Sequence, residues 1–137
     1  MGNQQILLII LGMVIIGVTI AVAIVLVNEN AVTANRDAMA ADLVNIAVRA
    51  QQYYNTPANF GGGGRTYIGL TADAAGMLKL VSTDMSANGN GTYTIIRPGT
   101  ATAVVLRGVG TNVLSDGSYP TLTCTITPGQ ASVTIDN

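Results

Sequence analysis

The sequence predicts an α+β protein: a long N-terminal helix, apolar in its first half and amphipathic in its second, packed on a small antiparallel four-stranded β-meander. Three observations carry that expectation. Ile6 to Val27 is an unbroken apolar run whose only polar side chain is Thr19, with no charge and no proline. Beyond it, Val32, Met39, Leu43, Ile46, Ala50 and Tyr53 recur at spacings of three, four and seven, the signature of one helical face. From residue 92 onward, short runs of alternating apolar and polar residues are separated by Pro, Gly, Asn and Asp.

The apolar half comes first. About 22 residues rising 1.5 Å each span roughly 33 Å, enough to cross the hydrocarbon core of a bilayer. A soluble domain of this size does not keep one helix apolar on every side. Two surroundings suit the segment: lipid, or copies of itself in a polymer. Gly12, Gly17, Ala21 and Ala23 punctuate the large side chains. Glycine inside a helix costs about 1 kcal/mol against alanine. In apolar surroundings the return is close backbone approach, and Gly17-x-x-x-Ala21 has the small-xxx-small form. Glycine is also simply more frequent in membrane helices, so both readings stand. The first basic residue, Arg36, lies beyond the run, unlike the basic start of a secretory signal. Ala21-Val22-Ala23 has the form of a cleavage site, but apolar residues continue through Val27, and the segment is expected to stay as an anchor.

The helix is expected to continue without a break, because no proline occurs before Pro57. The chain then divides into residues 1–54, the helix, and residues 55–137, a small globular β domain. Within the helix, residues 6–27 form the transmembrane or filament-core half and residues 28–54 the amphipathic half. Arg36, Asp37, Asp42 and Arg49 lie off the apolar face, toward solvent or neighbouring subunits. Asn55-Thr56-Pro57 stops the helix. The glycine run Gly61–Gly64 reads as a flexible loop. A phosphate-binding Walker A loop needs G-x-x-x-x-G-K-[ST] after a strand, and this run follows a helix. Residues 66–87 allow two readings: Thr71 capping a short helix over Ala72–Leu80, or a short strand over Met77–Val81.

Four strands are expected next: Thr92–Ile96, Thr102–Arg107, Tyr119–Thr127 and Ala131–Ile135. Arg97-Pro98-Gly99, a glycine-rich loop with Asn112 and Asp116-Gly117, and Pro128-Gly129 separate them. Leu122, Cys124 and Ile126 face one way and Thr121, Thr123, Thr125 and Thr127 the other. In the last strand Ala131, Val133 and Ile135 are expected inward, and Ser132 and Thr134 outward. One face of the meander then packs on the helix while the threonine face meets water.

Composition narrows the function. Of 137 residues, 49% are hydrophobic and 9% charged, with a formal net charge of -1. That balance gives no electrostatic basis for binding nucleic acid. Low charge with abundant Thr, Asn, Gly and Ala suits an extracellular surface. Cys124 is the one cysteine, so no intrachain disulfide forms. With no histidine and one cysteine, tetrahedral zinc sites and Ser-His or Cys-His catalysis are excluded as usually built. Asp73, Asp84, Asp116 and Asp136 are scattered in turn-like contexts, with no calcium-loop spacing among them. No catalytic residue, metal site or cofactor site is expected, and the chain is not read as an enzyme. Asn90-Gly91-Thr92 matches the N-glycan acceptor pattern, making Asn90 a possible glycosylation site, and the outward threonines could carry O-linked sugar.

An apolar-then-amphipathic helix running into a small antiparallel sheet resembles the type IV pilins and related bacterial pilin-like proteins. Ala34-Asn35-Arg36-Asp37-Ala38 through Ala50-Gln51-Gln52-Tyr53-Tyr54 is similar to the matching helix half of short pilin-like sequences. Met1-Gly2-Asn3-Gln4-Gln5 before an Ile/Leu/Val run is similar to their N-termini. The resemblance implies the structural subunit of an extracellular filament on the cell surface. Its partners would be other copies of itself in a helical homopolymer, the cytoplasmic membrane before assembly, and a pilus-type assembly machinery. The family usually has a short basic leader ending in Gly and a glutamate at the fifth mature position, and many members have a proline in the apolar half and a C-terminal cysteine pair; here residues 6–27 hold no proline and Cys124 is the one cysteine. With Met1 taken as the first mature residue, Gln5 stands where that glutamate would be. The resemblance implies self-assembly through Met1, Gln4, Gln5, Gly12, Gly17 and Ala21. The rival reading is a single-pass membrane-anchored β domain that binds a ligand.

Overall fold

The computed structural model describes residues 2–137; Met1 lies outside the described residues. Helix α1 runs unbroken over Gly2–Asn55, 54 residues, which at 1.5 Å per residue is about 81 Å of rod. Two polar side chains inside it satisfy themselves locally. The Thr19 and Thr33 hydroxyls donate to the carbonyls of Ile15 (2.8 Å) and Glu29 (3.0 Å), one turn back. A 3-10 turn Ala58–Phe60 follows, then short helices α2 (Ala74–Leu78) and α3 (Thr83–Ser86). Strands β1 (Gly91–Arg97), β2 (Val104–Gly110), β3 (Thr121–Thr127) and β4 (Gln130–Ile135) complete the chain. The four strands make one antiparallel meander in the order β1-β2-β3-β4. The α+β architecture is therefore the expected one.

The second half of α1 lies on the inner face of the sheet. Met39, Leu43, Ile46, Ala47 and Ala50 are buried against Tyr93 and Ile95 of β1, Val104 and Leu106 of β2, and Leu122, Cys124 and Ile126 of β3. The heptad-like spacing of the apolar residues produces this stripe, and the period-2 alternation of the strands produces its partner. In β3 the expected alternation holds: Leu122, Cys124 and Ile126 are buried, and Thr125 is exposed.

Four local expectations are corrected. The glycine run is not a free loop, because it folds back on the end of α1. Gly63, Gly64 and Arg65 donate backbone N–H bonds to the carbonyls of Tyr53 (2.8 Å), Thr56 (3.0 Å) and Tyr54 (2.8 Å). The Tyr53 and Tyr54 carbonyls are among those a helix leaves unpaired at its end. A Cβ on Gly62 or Gly63 would collide with the backbone of Thr56 or Thr66. The short helix at 74–78 is capped by Asp73, whose Oδ1 accepts from the Gly76 N–H at 2.7 Å. Thr71 is not the cap; its hydroxyl donates to that same carboxylate oxygen at 2.6 Å. Strand β2 begins at Val104 and runs on to Gly110, taking in residues expected to be loop. Gly108 faces the Tyr93 ring, where an added Cβ would sit 3.0 Å from Cε1.

The fourth correction concerns β4. Val133 is half-buried, Ala131 is exposed, and Ile135 is 62% exposed. The inward alternation is in register, with Ile126↔Ala131, Cys124↔Val133 and Leu122↔Ile135. The helix covers only part of this last row.

Candidate assembly surface and the helix–sheet junction

The apolar half of α1 has no partner within the chain. Its large side chains from Ile6 to Val27 are between 53% and 69% exposed. An 18-residue window of mean hydropathy 3.1 has none of its residues buried. The helix is long and apolar enough to cross a membrane and is a candidate anchor. Left in water, each large side chain would cost on the order of 1.5–3 kcal/mol. Some other surface therefore covers this segment.

The small residues fall on two faces. Gly17 and Ala21 are one turn apart and share a face. Gly12 lies about 140° round the helix from Gly17, and about 20° from Gln5. The six residues expected to act together in assembly are thus split: Gln5 with Gly12 on one side, and Gly17 with Ala21 nearly opposite. Gln4 is on the first turn beside Gln5, and Met1 is outside the described residues. At Gly12 and Gly17 a Cβ would meet nothing within 4 Å. The indentations they make in the helix surface are open.

The amphipathic half is tied to the sheet by a polar network that periodicity alone did not reveal. Asp42 Oδ2 accepts three hydrogen bonds: from Asn88 Nδ2 at 2.9 Å, Asn90 Nδ2 at 2.9 Å and the Tyr93 hydroxyl at 2.7 Å. Burial raises the Asp42 carboxyl, but the bonds from Asn90, Asn88 and Tyr93 outweigh it and leave the pKa below the ordinary value. Burial first, and then the bond to Asp42, hold the Tyr93 hydroxyl well above the usual phenol range. Asn35 is the one buried polar residue of the core among the described residues. Its Nδ2 donates to the Asn90 carbonyl at 2.7 Å, and its Oδ1 accepts from the Thr111 N–H at 3.3 Å. Asn112 Nδ2 reaches the Ala31 carbonyl at 3.1 Å, and Gln51 Nε2 reaches the Thr127 carbonyl at 3.2 Å. Asp42 lies off the apolar face, and its role needs partners far along the chain. Asn35 carried a legible signal: it stands three after Val32 and four before Met39, an amide on an apolar stripe.

Asn90 belongs to this junction. Its Nδ2, the atom a glycan would occupy, is committed to Asp42 in the folded chain, and the residue is half-buried. Glycosylation there would replace one of the two Nδ2 hydrogens of a half-buried amide that already bonds Asp42. Asp116 and Asp136, like Asp73, serve local structure. Asp116 Oδ1 accepts from the Ser118 hydroxyl (2.7 Å) and N–H (2.9 Å), and Asp136 Oδ2 accepts from the Thr123 hydroxyl at 2.6 Å. Among the described residues no three His, Cys, Asp or Glu side chains are grouped to hold a metal ion. Tyr54 packs on Tyr67 with ring centroids 5.0 Å apart. Cys124 is buried, and burial raises its thiol from 9.0 to about 11, so it stays protonated near neutrality. No family model, curated protein or solved structure matches the chain.

Proposed function

We propose that this chain is the structural subunit of an extracellular type IV pilus-like filament. One observation carries the reading. A rigid helix, apolar on every side and wholly unpartnered, projects from a domain that anchors its second half. Before assembly, residues 6–27 lie in the cytoplasmic membrane with the β domain outside. An assembly machinery of the pilus type then moves the helix from lipid into a bundle of copies. Lipid is as apolar as that bundle, so hydrophobic transfer contributes little to the exchange. Close packing at small residues contributes more, and the Gly17–Ala21 and Gln5–Gly12 faces lie nearly opposite, which suits a helix with neighbours on two sides. In water the polymer then resists dissociation, since each exposed helix would uncover its whole apolar surface. The reading involves no catalytic step, metal or cofactor.

Detergent extraction followed by electron microscopy tests it. The expected result is fibres of uniform diameter from the cell surface, and fibres again when the purified chain is freed of detergent. A single small micelle-bound particle, with no fibres from the cells, would overturn it in favour of a membrane-anchored binding domain.

A further inference from the structure

The β4 edge of the sheet is open, and it matches itself. The β3–β4 register sums to a constant, from Leu122↔Ile135 to Thr127↔Gln130. The Asp136 N–H donates to the Thr121 carbonyl at 2.9 Å on the same register, and the Gly110 N–H donates to the Pro120 carbonyl at 2.8 Å in the β2–β3 ladder. Antiparallel ladders alternate bonded and non-bonded pairs. Thr121, Thr123, Thr125 and Thr127 therefore point their backbone groups at β4. Gln130, Ser132 and Thr134 answer them, while the N–H and C=O groups of Ala131, Val133 and Ile135 point away from the sheet. The opposite edge is different: α2 and α3 flank β1, and the Asn88 N–H bonds the Gly91 carbonyl at 3.0 Å.

Exposed edges are usually blunted by charge, proline or a bulge. Residues Gln130–Ile135 contain no charged residue and no proline, and their pairing with β3 has no register shift. The apolar row on this edge is also unfinished, with Ala131 exposed, Val133 half-buried and Ile135 62% exposed.

We propose that β4 pairs with β4 of a second copy, antiparallel, about a two-fold axis through Val133. Placing Val133 opposite its own copy sets Ala131 against Ile135 of the other chain. All of these residues carry outward-pointing backbone groups, so the bonded pairs fall where the donors and acceptors are. On the inner face the exposed Ile135 lies over the small Ala131. On the outer face Thr134 meets Ser132, and Asp136 comes opposite Gln130, whose amide can donate to its carboxylate. No like charges meet. The interface is isologous, the same strip on both copies, and it joins two sheets into one of twice the width. It concerns the β domain alone and stands apart from the filament reading.

Cysteine cross-linking of the full chain in mild detergent tests the register. Bonded pairs place Cα atoms about 5.5 Å apart, within disulfide reach. Val133→Cys is expected to give a disulfide dimer on mild oxidation, while Gln130→Cys, whose copy lies far along the strand, gives at least about fivefold less. Ala131→Pro removes an outward donor that the β3 ladder does not use, so the domain keeps its fold. Added to Val133→Cys, it should abolish most of the cross-link. The buried Cys124 of the unaltered chain is the background control. Equal cross-linking at positions 130 and 133 overturns the two-fold register. A monomeric Val133→Cys overturns pairing between copies. Either result leaves the separate count of fibres unaffected.

Discussion

The Tyr93 hydroxyl donates to Asp42 Oδ2 at 2.7 Å, joining the first strand to the amphipathic half of α1, 51 residues earlier in the chain. With Asn88 and Asn90 on the same oxygen, this carboxylate locks the helix to one side of the sheet. Removing it leaves three donors without their acceptor. Asp42→Ala is expected to destabilise the β domain by about 1–2 kcal/mol, and Tyr93→Phe by about 1 kcal/mol. Tyr67 makes the opposite case, because its hydroxyl is buried with no partner among the described residues. Tyr67→Phe should cost nothing or stabilise slightly. Thermal melts of the three variants in one detergent give the order; equal loss from both tyrosine changes would refute it.

The direction of the Asp42 shift fixes a pH dependence. Its folded pKa is lowered, so the folded state favours the ionised form more than the unfolded chain does. The resulting stability is present above the unfolded value of 3.8 and disappears as pH falls through the folded value. Acid titration of the melting temperature should show a decline below pH 4 that Asp42→Asn reduces. An identical acid limb in that variant would remove Asp42 as its source.

At the alkaline end the sign reverses. The Cys124 thiol rises from 9.0 to about 11 on folding. Its contribution is complete below 9.0 and is lost as pH climbs toward the folded value, because only the unfolded chain releases the proton in that window. Tyr93 acts the same way at higher pH. Cys124→Ala, though less stable at neutrality, should lose less of its own stability between pH 9 and 11. Parallel curves for both proteins would exclude the thiol.

Gly110 and Gly129 make a matched pair. A Cβ at Gly110 would strike Asn35 Oδ1 and come within 2.6 Å of Pro120 Cγ and 2.8 Å of Met39 Sδ. At Gly129 nothing lies within 4 Å. Gly110→Ala is expected to cost about 1–3 kcal/mol through forced repacking, whereas Gly129→Ala should fall within about 0.5 kcal/mol of the parent. Chemical denaturation resolves the difference, and similar midpoints would mean the helix and β2 yield freely.

If the proposed filament is right, Gly17→Leu should lower filament yield while leaving membrane insertion intact, since it fills a notch that the chain itself leaves open. On the same proposal, Gln5→Glu keeps a polar side chain on the Gly12 face and should assemble, whereas Gln5→Leu removes it and should assemble poorly. Immunoblots of membrane and sheared surface fractions separate insertion from assembly. Normal fibre yield from Gly17→Leu or Gln5→Leu would remove the packing or the polar role respectively.

The main elements of this fold were legible because each is coded locally. The 3.6-residue period of Val32 through Tyr53 and the period-2 alternation of β3 name their buried faces without knowledge of the partner. What escaped depends on distant partners. Gly108 and Gly110 look like loop residues, yet they are strand positions kept bare so that Tyr93, Met39 and Asn35 can approach. Asp42 looks like a solvent-facing charge until Asn88, Asn90 and Tyr93 are brought to it. The alternation of β4 gave the right side for Ile135, but whether the helix reaches over it is a matter of placement, which no local pattern encodes.

The polar ties between helix and sheet are spread along the rod: Ala31 to Asn112, Asn35 to Thr111, Asp42 to Tyr93, Gln51 to Thr127. A pull along the helix axis therefore loads them together, in shear, instead of peeling them one at a time. Such an attachment yields late and all at once under tension, and the unbroken α1 would transmit that tension to the domain with no slack segment in between.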